Sequence, residues 1–175
     1  MQNSDSQTDE RLVNAIRQDD TEAFKGLFKT YYAPLIRFCW YRVHCMETSR
    51  DLVQDLFTRI WLKRHTLDPN KSIKAYLYKA LNNLIINYIN LSSSKAIPFE
   101  EIEEIKGHTD RNEIESMIDI QKALDQLPPK LKTVFMLSRY EGFDYSEIAE
   151  ICSISKKAVE KRMSRAFMLM RKFFS

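Results

Sequence analysis

Residues 145–166 read YSEIAEICSISKKAVEKRMSRA, and this stretch decides how the C-terminal part of the chain folds. Apolar residues recur at helical spacing in both halves, with Ser153, Ile154 and Ser155 between them. The pattern predicts a short amphipathic helix, a tight polar connector and a second helix. Ser155 is a suitable N-cap for that second helix. Ser153 stands where such connectors favour glycine, because the backbone angle φ is positive there.

The second helix is predicted to separate apolar from basic residues. Val159, Met163 and Phe167 continue the apolar side, which packs on Ile148, Ala149 and Ile151 of the first helix. The opposite side carries the candidates for contact with a DNA duplex: Lys156, Lys157, Lys161, Ser164 and Arg165. This is the helix-turn-helix pattern, in which the second helix enters the major groove. A solvated basic face on an ordinary helical hairpin is the alternative.

Composition extends the helical prediction to the whole chain. The 175 residues include only 3 Gly and 5 Pro, which favours helices with short connections over strands and hairpins. No apolar run approaches the roughly 20 residues of a bilayer span. The polar, acidic N-terminus also differs from a secretory signal. We therefore expect an all-α, cytoplasmic protein.

Charge falls into three blocks along the chain. Net charge is +3 over residues 1–91, −4 over 92–115 and +4 over 116–175. The acidic block contains Pro98 and Gly107 and has the composition of a flexible linker. We therefore predict two small helical domains, 8–91 and 113–175, joined by a flexible linker over 92–112.

Capping signals predict where the helices begin and end. The N-terminal helices are expected to start at the caps Thr8, Thr21, Thr48 and Ser72. Thr48 with Asp51 has capping-box spacing, and its helix is predicted to run to about Arg64. Pro34 is expected to kink the helix that contains it.

Similar signals bound the C-terminal helices. Asn112 with Glu115 predicts a helix start, and Pro128–Pro129 predicts the end of that helix. Gly142 is expected to close the following helix after Glu141.

The cysteines favour reduced, buried thiols. Cys39, Cys45 and Cys152 are odd in number and dispersed, unlike a disulfide framework. Cys39, His44 and Cys45 lack the further ligand that a tetrahedral zinc site needs. No catalytic triad or phosphate-binding loop stands out, so we expect no enzyme, cofactor, metal or small-molecule substrate. A reactive thiol site at Cys39 and Cys45 is the enzyme-like alternative.

Two sets of motifs flank the acidic block. Before it stand Asp51–Phe57 (DLVQDLF) with Trp61, then Ile73–Leu77 (IKAYL) and Asn83. After it stand Ala123–Lys130 (ALDQLPPK), Val134–Leu137 (VFML) and Glu141–Ala149 (EGFDYSEIA). In this order the motifs resemble a bacterial RNA polymerase sigma factor of the extracytoplasmic-function group. That group is the minimal kind within the sigma-70 family, with a region 2 bundle and a region 4 helix-turn-helix.

The resemblance implies that the chain binds core RNA polymerase and directs initiation at promoters. Its C-terminal domain would read the minus-35 duplex and contact the beta flap, and its N-terminal domain would read the melted minus-10 strand. Docking on the beta-prime clamp helices would use Asp51, Gln54, Asp55 and Thr58. Carboxylates beside an amide suit recognition of Arg and Lys. The resemblance also implies an anti-sigma factor as inhibitor, membrane-anchored in part of the family.

Reading melted DNA requires an aromatic platform, a positive track and a pocket for an extruded base. The candidates are Lys71, Lys74, Tyr76, Lys79, Asn82 and Asn83. By resemblance, the loop 68–72 would border the pocket. Tyr76 and Tyr78 cannot both face inward, so we expect one to pack in the core. A stand-alone dimeric repressor or activator is the rival function, to be distinguished by tight, two-fold symmetric operator binding without polymerase.

Overall fold

The computed structural model describes residues 2–93 and 122–173. The chain divides into two compact units, Met1–Glu101 and Ile102–Ser175. Every regular element within the described ranges is helical, which confirms the all-α prediction. The predicted linker over 92–112 and the predicted Asn112 cap lie outside the described residues, apart from the end of one helix at 92–93.

The first unit is a bundle of four α-helices. These are α1 (Gln2–Arg17), α2 (Thr21–Val43), α3 (Met46–Leu62) and α4 (Ile73–Ser93), with a 3₁₀ turn at Arg64–Thr66. The bundle core is apolar and includes Leu27, Leu35, Phe38, Val53, Leu56, Ile60, Leu77, Tyr78, Leu81 and Ile85. Burial of these side chains is the main stabilising contribution, at about 1.5–3 kcal/mol each.

Three predicted helix starts in this unit are wrong. The cap of α2 is Asp20 rather than Thr21, because the Asp20 carboxylate accepts hydrogen bonds from the backbone N–H groups of Glu22 and Ala23 at 2.9 and 3.0 Å. Helix α1 begins at Gln2, before Thr8. Helix α3 begins at Met46, before Thr48. His44 ends α2 in the left-handed conformation (φ 53°). Only Cys45, the N-cap of α3, separates the two helices.

The predicted cap at Ser72 and the predicted kink at Pro34 concern α4 and α2. Ser72 does cap α4, since its Oγ accepts the Ala75 N–H at 3.2 Å. Pro34 lies inside α2, which continues as one helix from Thr21 to Val43.

The second unit contains α5 (Pro129–Arg139), α6 (Tyr145–Cys152) and α7 (Lys156–Phe173). Pro128 is the N-cap of α5 and Pro129 its first residue, where a missing N–H has no cost. Residues 122–125 are helical and lie before this start. Helix α5 ends at Arg139, earlier than predicted, and the chain turns through Gly142 at φ 74°. The Phe143 N–H then bonds the Leu137 carbonyl at 3.0 Å.

A buried ion pair also ties α5 to the preceding segment. Lys132 Nζ lies 2.8 Å from Asp125 Oδ1, and the Lys132 side chain is almost fully buried. Such a pair is costly to break from one side, because a buried charge is then left without its partner.

Candidate functional site

The connector between α6 and α7 has the geometry that the sequence predicts. Asp144 begins α6 with a full capping box, in which its carboxylate and that of Glu147 bond each other's backbone N–H groups. Ser153 ends α6 at φ 54° and ψ 48°. Ser155 Oγ accepts the Ala158 N–H at 3.1 Å at the start of α7. Both helices are therefore defined at the ends that meet in the turn.

Helix α7 presents opposite faces to the core and to the outside. Its buried residues are Val159, Met163 and Ala166. At 100° per residue, Lys157, Lys161, Ser164 and Arg165 lie on the far side, and all four are exposed. Lys156 is exposed as well, at the start of the helix. It lies about 100° from Lys157 around the helix axis, on the side of Met163. The structure thus gathers four of the five predicted duplex contacts on one side of α7, and Lys156 lies apart from them at the start of the helix.

Two details of this hairpin differ from the prediction. Phe167 is 39% exposed and is not part of the buried stripe, because Ala166 takes that position. The Phe167 ring packs at the rim, 5.7 Å from the Phe135 ring and beneath the Arg139 guanidinium. Ala149 is half-buried between the fully buried Ile148 and Ile151.

One residue that sequence reasoning missed extends the basic face. Met168 continues the row of Lys161 and Ser164 by helical spacing and is 52% exposed. The signal was present in the periodicity, but an apolar residue among charges is normally assigned to the core.

The polar face of α3 holds the predicted polymerase contacts. Asp51, Gln54 and Thr58 are exposed and Asp55 is half-exposed, opposite the buried Val53, Leu56, Phe57 and Ile60. The four residues therefore share one surface.

Two of the four residues form side-chain bonds within α3. Arg59 forms a bidentate ion pair with Asp55, with Nε–Oδ1 and Nη2–Oδ2 distances of 2.8 Å. This hydrogen-bonded carboxylate raises the pKa of Arg59 above its usual value. The Thr58 hydroxyl donates to the Gln54 carbonyl at 2.9 Å, which leaves its oxygen able only to accept. Asp51 and Gln54 are the more open of the four.

The predicted minus-10 residues divide between two sides of α4. Tyr76, Lys79 and Asn83 follow helical spacing on one face and are exposed, Tyr76 by 40%. Ile86 and Asn87 extend this face and are exposed as well. Lys74 is half-buried. It lies on another side of the helix, because it stands two residues before Tyr76.

Asn82 does not belong to this surface. It is 4% exposed, and its Oδ1 accepts a hydrogen bond from Arg42 Nη1 at 3.3 Å. Its amide edge is thereby turned into the bundle, so a base cannot meet it without rearrangement. Neighbouring Asn83 has the exposed amide.

The loop before α4 and the pair of tyrosines agree with expectation. Lys71 is exposed in the loop, with its Nζ 3.8 Å from Asp68 Oδ2. Tyr78 is the tyrosine that packs, fully buried with its ring edge-on to Phe38 at 5.3 Å. Tyr76 is left as the outward aromatic residue.

The cysteines, the possible metal ligands and the apolar helices concern the alternatives to a DNA-binding function. None of the three cysteines forms a disulfide, and burial raises the pKa of Cys39 to about 11. In the described ranges no group of three or more His, Cys, Asp or Glu is placed to hold a metal. No helix in those ranges has the length and apolarity to cross a bilayer.

Comparisons with known proteins agree with this geometry. The family model described as Sigma-70 region 2 matches residues 27–93, and the one described as Sigma-70, region 4 matches residues 117–170. The first match contains the surfaces on α3 and α4, and the second contains the helix-turn-helix. Together they span well over half of the chain.

Two similar proteins match most of the chain. The ECF RNA polymerase sigma factor SigW of Bacillus subtilis is 23% identical, with 93% of this chain and 94% of that protein covered. RNA polymerase sigma factor SigV of Bacillus subtilis is 28% identical, with 77% and 81% covered.

Two solved structures share the fold. CnrH in complex with the cytosolic domain of CnrY has a TM-score of 0.73 at 20% identity, covering 95% of this chain and 96% of that one. The sigma factor RpoE in complex with the anti-sigma factor NepR from Bartonella quintana has a TM-score of 0.70 at 23% identity, covering 86% and 96%. The chain therefore belongs to the sigma-70 family, as an extracytoplasmic-function sigma factor that directs promoter-specific initiation by RNA polymerase.

Proposed function

We propose that this sigma factor divides promoter recognition between its two units. The exposed basic face of α7 binds the minus-35 duplex, and the exposed face of α4 with the loop 68–72 binds the melted minus-10 strand. The polar face of α3 docks on the beta-prime clamp helices. It acts in the cytoplasm and has no catalytic activity of its own, because the chemistry belongs to the polymerase.

The arrangement of α7 is the observation that carries this proposal. A recognition helix must bury one side on its scaffold while the other reaches base edges and phosphates. The buried stripe of Val159, Met163 and Ala166 meets the first need, and the basic side opposite meets the second. Lys161 and Arg165 suit bidentate or phosphate contacts. The logarithm of the binding constant falls linearly with the logarithm of the salt concentration. Each phosphate contact makes that slope more negative by about 0.9.

The face of α4 supports single-strand recognition. The outward ring of Tyr76 can stack on an unpaired base, a contact worth about 1–3 kcal/mol. Lys79 lies one turn further on, where it can meet a phosphate, and the Asn83 amide offers both a donor and an acceptor. Lys71 extends the positive track into the loop. Lys74 is half-buried and lies on another side of α4. We propose that it contacts the phosphate backbone of the DNA strand rather than a base.

Further partners follow from the exposed surfaces and from the similar structures. Phe167 and Phe173 are exposed apolar side chains on the second half of α7, which supports contact with the beta flap. Two structures of the same fold were determined with a bound inhibitor, the anti-sigma factor NepR, or with the cytosolic domain of CnrY. These complexes support the proposal that an anti-sigma factor holds this protein inactive.

The test is run-off transcription with purified core polymerase and a genomic library, followed by sequencing of transcript starts. On promoters found in this way, Lys161→Ala and Arg165→Ala are expected to lower transcription about tenfold through lost base contacts. Lys130→Ala removes one exposed positive charge from the same unit and serves as the matched control, with little expected effect.

A double-mutant comparison makes the test specific to the minus-35 element. If Lys161 contacts that element, Lys161→Ala and a minus-35 substitution together have less effect than the sum of their separate effects. Wholly additive effects would show that the contact is not made. Tight binding to a two-fold symmetric site without polymerase would favour a stand-alone repressor instead.

A further inference from the structure

Helix α1 is attached to both ends of the connection between α3 and α4. At one end, Asp9 Oδ2 accepts a hydrogen bond from the Ile73 N–H at 3.1 Å. At the other end, His65 Nδ1 donates to the Arg17 carbonyl at 2.8 Å, and the Asp19 carboxylate pairs with Arg64. Residues 67–72 therefore run between two points that the same helix holds.

The bond from Asp9 completes the start of α4. The first N–H groups of a helix have no partner within the helix. Ser72 Oγ accepts from the N–H of Ala75. Asp9 supplies the acceptor for Ile73 from 64 residues away in sequence. Its negative charge also favours the positive end of the helix dipole. This part of the cap exists only while α1 is in place.

The second attachment is well fixed. Arg64 lies over the Trp61 ring, 4.4 Å from its centroid, and donates to the Trp61 carbonyl at 2.7 Å. Its guanidinium also pairs with Asp19, which follows the end of α1 with φ at 67°. Arg64 thus joins α3 to the turn that follows α1, with two contacts to Trp61 and one to Asp19.

We infer that Asp9 is a positioning residue for minus-10 recognition, acting through the Ile73 N–H on the start of α4. It fixes the angle at which α4 presents Tyr76, Lys79 and Asn83 and limits how far the loop 67–72 can move. The inference rests on the proposed function. Because the region 2 match begins at residue 27, α1 lies before the part of the chain that the family model describes.

The experiment measures base preference in the melted strand. Holoenzyme made from the full chain and core polymerase is mixed with fork-junction DNA that carries a randomised single strand, and the bound strands are sequenced. Asp9→Ala is expected to lower the enrichment of the preferred bases about three- to tenfold, in the range that a lost cap produces. Asp9→Asn keeps an acceptor oxygen and is expected to retain most of the enrichment.

Glu10→Ala is the matched control, because it removes a neighbouring exposed carboxylate from the same helix. It is expected to match the wild type. General destabilisation would lower the total DNA bound and leave the preference ratios unchanged. Unchanged ratios with Asp9→Ala overturn the inference, as does a full loss of enrichment in folded Asp9→Asn. If Asp9→Ala does not fold, Asp9→Leu replaces it, because leucine is close to aspartate in shape and has no acceptor oxygen. The expectation and the overturning result are the same.

Failure of the proposed function has a different signature. The wild-type holoenzyme could show no base preference, or a preference that Tyr76→Ala and Asn83→Ala do not change. Either result would show that α4 does not take part in minus-10 recognition, and the proposed role of Asp9 would fail with it. If Tyr76→Ala and Asn83→Ala change the base preference but Asp9→Ala does not, only the proposed role of α1 is wrong.

Discussion

At the scale of single residues, burial separates groups that look alike in the sequence. Cys39 is fully buried, and the loss of hydration raises the pKa of its thiol from 9.0 to about 11. A hydrogen bond with Ser49 and the charge of Arg42 oppose this shift but are outweighed. The thiol therefore stays protonated at neutral pH, which argues against a nucleophilic site at Cys39.

We predict that Cys39 resists alkylation in the native protein. At pH 8 a thiol of pKa 11 has about 100-fold less thiolate than one of pKa 9, and the thiolate is the reactive form. Iodoacetamide labelling followed by mass spectrometry should show Cys45 and Cys152, both half-buried, reacting first. Denaturation should make the three rates similar. Native labelling of Cys39 at the rate of the others would revive the thiol-site hypothesis.

The same pKa shift predicts how stability depends on pH. The folded state holds the thiol proton more tightly than the unfolded state, so the contribution of Cys39 is fully present below pH 9. It declines between pH 9 and about 11, where only the unfolded state is ionised. Urea titrations of the wild type and Cys39→Ala across that range should converge as the pH rises. Parallel curves would show that the thiol does not titrate in this way.

At the scale of elements, the turn between α6 and α7 stores backbone strain. Ser153 is held at φ 54°, where a residue with a Cβ is disfavoured by about 1–2 kcal/mol. Glycine removes that strain but loses more entropy on folding. We predict that Ser153→Gly stabilises the second unit by about 0.5–1 kcal/mol, and that Ser155→Ala destabilises it by about 1 kcal/mol through loss of a cap.

Amide hydrogen exchange of α6 and α7 measures these changes within the second unit alone. Slower exchange is expected in Ser153→Gly and faster exchange in Ser155→Ala. Equal or faster exchange in Ser153→Gly would show that the left-handed geometry costs nothing at this position.

The helices themselves could be predicted from sequence, but their ends often could not. Periodicity is repeated over several turns, so its signal survives local exceptions. A helix start depends on which of two adjacent acceptors bonds the first turn, and Asp20 does so in place of Thr21. The cap that Asp9 gives to α4 joins residues far apart in sequence, and no local pattern can indicate it.

At the scale of the whole molecule, each unit gathers its candidate contacts on an outer surface. Four of the five candidates on α7, all except Lys156, could be predicted because helical spacing alone places them together. The same holds for the four polar residues of α3. The set on α4 could be predicted only in part. Asn82 and Asn83 are adjacent and chemically identical. Asn82 is the buried one, on the helix side of Tyr78 and Ile85, where it accepts a hydrogen bond from Arg42.

Docking on polymerase can be tested on the surface of α3. Gln54→Lys with Asp55→Lys reverses the charge of that surface and is expected to abolish promoter-dependent transcription in a purified system, because like charges would face the clamp helices. The fold should persist, since Gln54 is exposed and the exposed Asp55–Arg59 ion pair contributes little to stability. Circular dichroism and a melting curve check this point.

Arg59→Ala is the control that separates docking from the ion pair itself. It breaks the same bidentate contact but leaves the Asp55 carboxylate available to a partner cation, so transcription should be kept or slightly increased. If Asp55 acts only by holding Arg59, the two changes should instead be equally harmful. Association with core polymerase, measured by gel filtration at low salt, should be lost with the double lysine variant alone. Normal transcript levels from that folded variant would remove this face of α3 from the polymerase interface.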